Sequence, residues 1–176
     1  MMKTRRLGKT GLQVSEIGFG GEWLERHPEE EGIELIRYAS SKGINILDCW
    51  MADPKSRDVI GKGIHENRSE WFIQGHIGST WKEGQYYRTR DMQYVKPAFE
   101  DLLERLQTDY IDLGMIHYVD SEEEWAQIQH SDYLDYVMDL KKKGVIRHIG
   151  MSSHNPKVAV KAAESGYVEM ILFSIN

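Results

Sequence analysis

Asp48, Asp53, His76 and His117 supply two carboxylates and two imidazoles. Such groups suit proton transfer near neutral pH, or a first-row metal such as zinc, iron or manganese. No pair among them has a short helical spacing, so the simpler reading is a hydrogen-bonded polar cluster rather than a metal site. Cys49 follows Asp48 directly. Strand alternation turns it away from whatever Asp48 faces, as a small packed hydrophobe, and no cationic neighbour in sequence activates it as a thiolate. Trp23, Trp50 and Trp81 fall near the ends of apolar segments. They could line a pocket for a flat ligand, although apolar shielding explains them more simply. His148 and His154 read as surface or packing residues. Asp120-Ser121-Glu122-Glu123-Glu124 reads as a solvated helix start, where negative charge favours the dipole.

These residues must be positioned by alternating strands and helices. Short apolar runs at 16–20, 44–47, 71–74, 111–116, 146–151 and 170–174 read as strands buried on both faces. Val95, Phe99, Leu102, Leu103 and Leu106 recur at helical spacing, as do Leu134, Val137, Met138 and Leu140. Gly43, Gly144 and Gly166 stand where left-handed helix caps belong, and Asn155-Pro156 reads as an N-cap followed by a first-turn proline. Pro97 marks a helix start or a kink. The segment from Met2 to Ile17 reads as a hairpin around Gly8-Lys9-Thr10-Gly11. The polar connection Gly78 to Thr89, carrying Trp81, Tyr86 and Tyr87, reads as a long loop. Six strands joined by helical crossovers predict a parallel α/β sheet with helical cover.

Composition narrows the class. The 176 residues are 40% hydrophobic and 28% charged, enough for one domain with a core. A net charge of −6 leaves no basic stripe for nucleic acid. No apolar run reaches the roughly 18 residues of a membrane helix, and no secretory signal is visible. One cysteine excludes an internal disulfide and predicts a reducing, cytoplasmic setting.

Four ordered motifs carry a family resemblance. They are Leu7-Gly8-Lys9-Thr10-Gly11-Leu12 through Gly20-Gly21, Gly43-Ile44-Asn45-Ile46-Leu47-Asp48, Leu106-Gln107-Thr108-Asp109-Tyr110-Ile111-Asp112-Leu113 with Ile116-His117, and Gly144-Val145-Ile146-Arg147-His148-Ile149-Gly150-Met151-Ser152. Together they resemble the aldo/keto reductases over the whole chain. The resemblance implies a TIM-type (β/α)8 barrel, here a single partial domain over 1–176 with six parallel strands and an N-terminal hairpin. A closed barrel takes about 250 residues. The expectation is therefore a chain incomplete at its C-terminus, whose open sheet edges favour a homo-oligomer or poor solubility. The last motif, with Gly75-His76-Ile77-Gly78-Ser79-Thr80-Trp81, resembles the subgroup that adds a C-terminal iron–sulfur domain. A single cysteine cannot ligate such a cluster.

The resemblance implies NADP(H) as cofactor and a small-molecule carbonyl as substrate. In that family a tyrosine protonates the nascent alkoxide, a lysine lowers the tyrosine pKa, an aspartate holds the lysine and a histidine orients the carbonyl. Asp48 matches the aspartate and His117 the histidine. Asp53 stands at the tyrosine position and His76 at the lysine position, so Asp53 or His76 would have to move protons. Cofactor contacts are implied at Gly20, Gly21, Ser152 and Ser153, with Ser153 in place of an asparagine. Phe173 and Ile175 stand where a glutamine and a stacking tyrosine belong. Two readings follow: an oxidoreductase with altered proton chemistry, or a non-catalytic binding or regulatory module on a degenerate barrel.

Overall fold

The structure, a computed structural model, describes residues 2–175. It opens with a hairpin of β1 (Thr4–Arg6) and β2 (Gln13–Ser15), paired antiparallel. Six parallel strands follow: β3 (Phe19–Gly20), β4 (Ile46–Cys49), β5 (Phe72–Ile77), β8 (Ile111–Ile116), β9 (Ile146–Ser153) and β10 (Met170–Phe173). They lie side by side in the order β10-β9-β8-β5-β4-β3, so sequential parallel strands are spatial neighbours. This is the connectivity of a barrel wall, curled into a half-barrel of six strands as the resemblance implied.

Helices cover the outer face. They are α1 (Glu29–Ser41), α2 (Pro54–Ile64), α3 (Met92–Arg105), α4 (Glu122–Ile128), α5 (Asp132–Lys142) and α6 (Pro156–Glu164). Their punctuation follows the sequence. Gly43, Gly144 and Gly166 take φ of 85°, 76° and 79° just past helix ends. Asn155 caps α6 by accepting from the Lys157 amide. Ser121 caps α4, with Glu122, Glu123 and Glu124 in its first turn. Pro97 neither starts nor ends α3: Asp91 caps that helix, and Pro97 sits in its interior. Its missing N–H leaves the Gln93 carbonyl without a helical donor.

Two apolar layers result from strand alternation. The outer layer packs Leu47, Ile73, Ile77, Ile116, Ile149 and Met151 under the helices. The inner layer packs Ile46, Leu113 and Met115 around Val14 of the hairpin, with Leu7 and Leu12 against it. The hairpin therefore plugs the N-terminal end of the barrel, and the polar inward positions are left at the other end.

The 78–89 connection departs from the expected loop. It forms a second hairpin, β6 (Ser79–Lys82) and β7 (Gln85–Arg88), in antiparallel register with Trp81 opposite Tyr86. The turn is the two-residue pair Glu83-Gly84, both at positive φ. That geometry matches the twist of a tight hairpin but is usually encoded by Asn-Gly or Asp-Gly, and glutamate at the first position hides the signal.

Close approach of α2 to the end of α3 depends on Gly61. A Cβ there would lie 2.1 Å from the Arg105 carbonyl oxygen. Backbone cannot yield as a flexible side chain can, so Gly61→Ala is expected to cost about 1–3 kcal/mol, read as a lowered urea midpoint. An unchanged midpoint would show that the helices are not held at that spacing.

Candidate active site

Alternation aims the C-terminal ends of the strands into one cavity of about 500 Å³. Asp48 comes from β4 and His76 from β5; His117 lies one residue past β8, and Ser152 comes from β9. Each is two residues along its strand from an inner-layer position or continues that register. Gly21 lets β3 lie close to this end of β4: its N–H donates to the Asp48 carbonyl at 2.9 Å, and a Cβ would sit 2.7 Å from that oxygen.

The polar side chains join end to end. His76 Nε2 lies 2.8 Å from Asp48 Oδ1, and His76 Nδ1 lies 2.8 Å from His117 Nδ1. His117 Nε2 in turn lies 2.7 Å from the Tyr86 hydroxyl. The hydrogens follow from these partners. Asp48 as a carboxylate only accepts, so His76 carries its proton on Nε2 and accepts on Nδ1. His117 then donates from Nδ1 and accepts on Nε2, and the Tyr86 O–H donates to it. Four side chains from separate elements thus form one directional line.

Packing holds the His117 ring. The Trp50 indole lies parallel to the His117 imidazole, 8° between planes and 6.0 Å between centroids. Tyr86 meets Trp50 edge-on at 5.3 Å. Burial, then the neighbouring His76 and the nearby Arg90 and Arg88, pushes the His117 pKa well below its ordinary 6.5. Burial also pushes the Tyr86 phenol up, while Arg88 and Arg90 pull the other way. Both groups are therefore neutral at pH 7.

The six-strand frame brings Asp48, His76, His117 and Ser152 together on this cavity. Asp53 is elsewhere: it is the N-cap of α2, accepting from the Ser56 amide at 3.0 Å, with Pro54 in the first turn. Ser153 is buried, donating to Asp120 Oδ1 and accepting from the Asn155 amide. Ser152 Oγ accepts from the Tyr118 amide at 2.7 Å and keeps its O–H to donate. Gly20 and Gly21 shape the β3 edge and are not among the cavity lining. Cys49 faces the outer core, and burial lifts its thiol to about 12. Trp23 lies outside under Arg26, and Trp81 lines a different cavity. Among the described residues no group of three or more His, Cys, Asp or Glu is placed to hold a metal.

Tyr86, Tyr118 and His154 line the cavity without having been singled out as site residues. Tyr118 takes a left-handed φ of 48°, which turns the chain sharply after β8. His154 packs edge-on against Tyr118 and lies 3.2 Å from Asp120. No spacing signal marks any of them. The Thr80-Trp81 and Tyr86-Tyr87 pairs, rich in strand formers on either side of Glu83-Gly84, were the one available hint of a hairpin.

Known proteins match the chain and its fold. The Aldo/keto reductase family profile covers residues 16–176, and the chain belongs to that family. It is 28% identical over 179 residues to Uncharacterized oxidoreductase YqkF of Bacillus subtilis (strain 168), covering 99% of this chain and 56% of that protein. Aldo-keto reductase YhdN of the same organism is 31% identical over 161 residues, covering 86% of this chain and 47% of its own. Among solved structures, aldo-keto reductase AKR11C1 from Bacillus halodurans (holo form) superposes with a TM-score of 0.83 at 29% identity, covering 99% of this chain and 58% of that one. The chain spans about half the length of the curated relatives it matches.

The depressed His117 pKa makes stability depend on pH. Below about 6.5 the unfolded chain takes up a proton that native His117 refuses, so stability falls as pH drops. The slope from this group approaches about 1.4 kcal/mol per pH unit. Urea unfolding is expected to show a shallower loss between pH 6.5 and about 5 for His117→Gln than for the wild type. Equal slopes would contradict the neutral, buried imidazole.

Proposed function

We propose that the protein is an NADP(H)-dependent oxidoreductase that interconverts a small carbonyl compound and its alcohol in the Asp48–His117 cavity. The observation that carries this reading is the line of hydrogen bonds from Asp48 through His76 to His117, opening on the same cavity as Ser152. Membership of the aldo/keto reductase family supports it.

The residues present fit the nicotinamide end of such a cofactor. Ser152 has an unused O–H to offer a carboxamide, and Trp50 and Tyr118 supply flat walls. The volume lies within the usual range of small-molecule sites, about 300–1,000 Å³. When bound, a reduced nicotinamide supplies hydride to the carbonyl carbon. The chain's own work is to place the carbonyl oxygen, exclude water and deliver a proton. His117 cannot orient the carbonyl directly in this arrangement, because both its ring nitrogens already have partners. A reducing cytoplasm suits the buried Cys49 thiol.

The second reading, a non-catalytic module, is favoured by one observation: Asp53, at the family tyrosine position, is committed to capping α2. A fluorescence titration with NADPH, followed by its consumption with a panel of aldehydes, separates the two. Saturable micromolar binding with aldehyde-dependent oxidation is expected. Binding without turnover would select the module, and no binding would remove nicotinamide chemistry altogether.

A further inference from the structure

We propose that Tyr86, presented over the barrel mouth by the β6–β7 hairpin, is the proton donor of this site, and that His117, His76 and Asp48 are the wire that reloads it. The proposal rests on the oxidoreductase reading above. Its ground is the end-to-end geometry: three contacts of 2.7, 2.8 and 2.8 Å link a phenol on the cavity wall to a carboxylate on a different strand.

The phenol is held for the task. Ser79 Oγ donates to the Trp50 carbonyl, and Thr80 Oγ1 donates to the Tyr87 carbonyl, each at 2.5 Å. Arg88 donates to the Tyr118 carbonyl at 2.6 Å. The Thr80 bond braces the two strands of the hairpin, and the Ser79 and Arg88 bonds tie it to the loops after β4 and β8. Arg88 and Arg90 stand near enough to favour a developing phenolate, a service for which the family uses a lysine.

In the resting line the Tyr86 proton points at His117 Nε2, so the phenol cannot donate outward. One added proton reverses the line. His76 then holds protons on both nitrogens, donating to Asp48 and to His117 Nδ1. His117 carries its proton on Nε2 and donates to the Tyr86 oxygen, and the Tyr86 O–H is free to face a substrate. Because His76 Nε2 already donates to Asp48, the added proton enters from the cavity at the Tyr86 oxygen and shifts one proton along each contact to His76, where the Asp48 carboxylate faces the resulting cation.

Reduction then balances. The carbonyl carbon takes hydride from the reduced nicotinamide while the phenol O–H bond breaks and the alcohol O–H bond forms. Tyr86 recovers the His117 Nε2 proton, and His117 takes the His76 Nδ1 proton at its own Nδ1. The resting line is restored, with one hydride and one proton consumed. Alcohol oxidation runs the same steps backwards.

The test compares the wild type with Tyr86→Phe, using NADPH and para-nitrobenzaldehyde as probes. Tyr87→Phe is the control, since Tyr87 packs on Tyr94 at 6.0 Å rather than in the line. Tyr86→Phe is expected to lower kcat roughly 100-fold or more while NADPH binding is retained. Tyr87→Phe is expected to react at the wild-type rate. Histidine-ring NMR of the protein without cofactor is the independent readout. It should show the His117 Nε2 signal alone losing its hydrogen-bond donor in Tyr86→Phe. Wild-type turnover by Tyr86→Phe, or an Nε2-protonated His117 in the resting protein, would overturn the proposal and leave the oxidoreductase reading standing. Failure of the wild type to bind NADPH would overturn both.

Discussion

Two Nδ1 atoms facing each other at 2.8 Å can share only one hydrogen. Two would collide, and none would leave two lone pairs in repulsion. His76 and His117 must therefore hold opposite tautomers, and everything attached to them inherits a direction. Asp48 sets that direction at one end and Tyr86 receives it at the other. Because the rings are buried, an unmatched nitrogen would cost on the order of 1–3 kcal/mol, so the line is held as a unit.

Much of the remaining structure serves this contact. Ile46, Leu113 and Met115 form the apolar layer beneath the polar ends, and the N-terminal hairpin closes that layer from below. Gly21 allows the first strand to hydrogen-bond against the Asp48 backbone. Trp50 stacks on one histidine and braces the tyrosine that caps it. The β6–β7 hairpin brings the Tyr86 phenol onto the same cavity from outside the six-strand frame.

The strand and helix order was legible because its signals are local: apolar runs, glycine caps, and the Asn155-Pro156 pair. Asp48, His76, His117 and Ser152 were legible through the motifs that carry the family resemblance, each of them at or just past a strand end. Asp53 carried its own warning, since an aspartate directly before Pro54 is a helix N-cap with a first-turn proline. Tyr86 was not legible. Its reach depends on a turn at Glu83-Gly84 that lacks the usual residues, and on a hairpin folding back over a strand end about thirty residues further along the chain. No spacing rule encodes that approach.

Neutron diffraction from deuterated crystals tests the directional line most directly, because it locates the exchangeable atoms. The account predicts deuterium on His76 Nε2 and on His117 Nδ1, with the Tyr86 hydroxyl deuteron directed at His117 Nε2. Deuterium on His76 Nδ1 pointing at a bare His117 Nδ1, with the carboxylate of Asp48 left unpartnered, would contradict it.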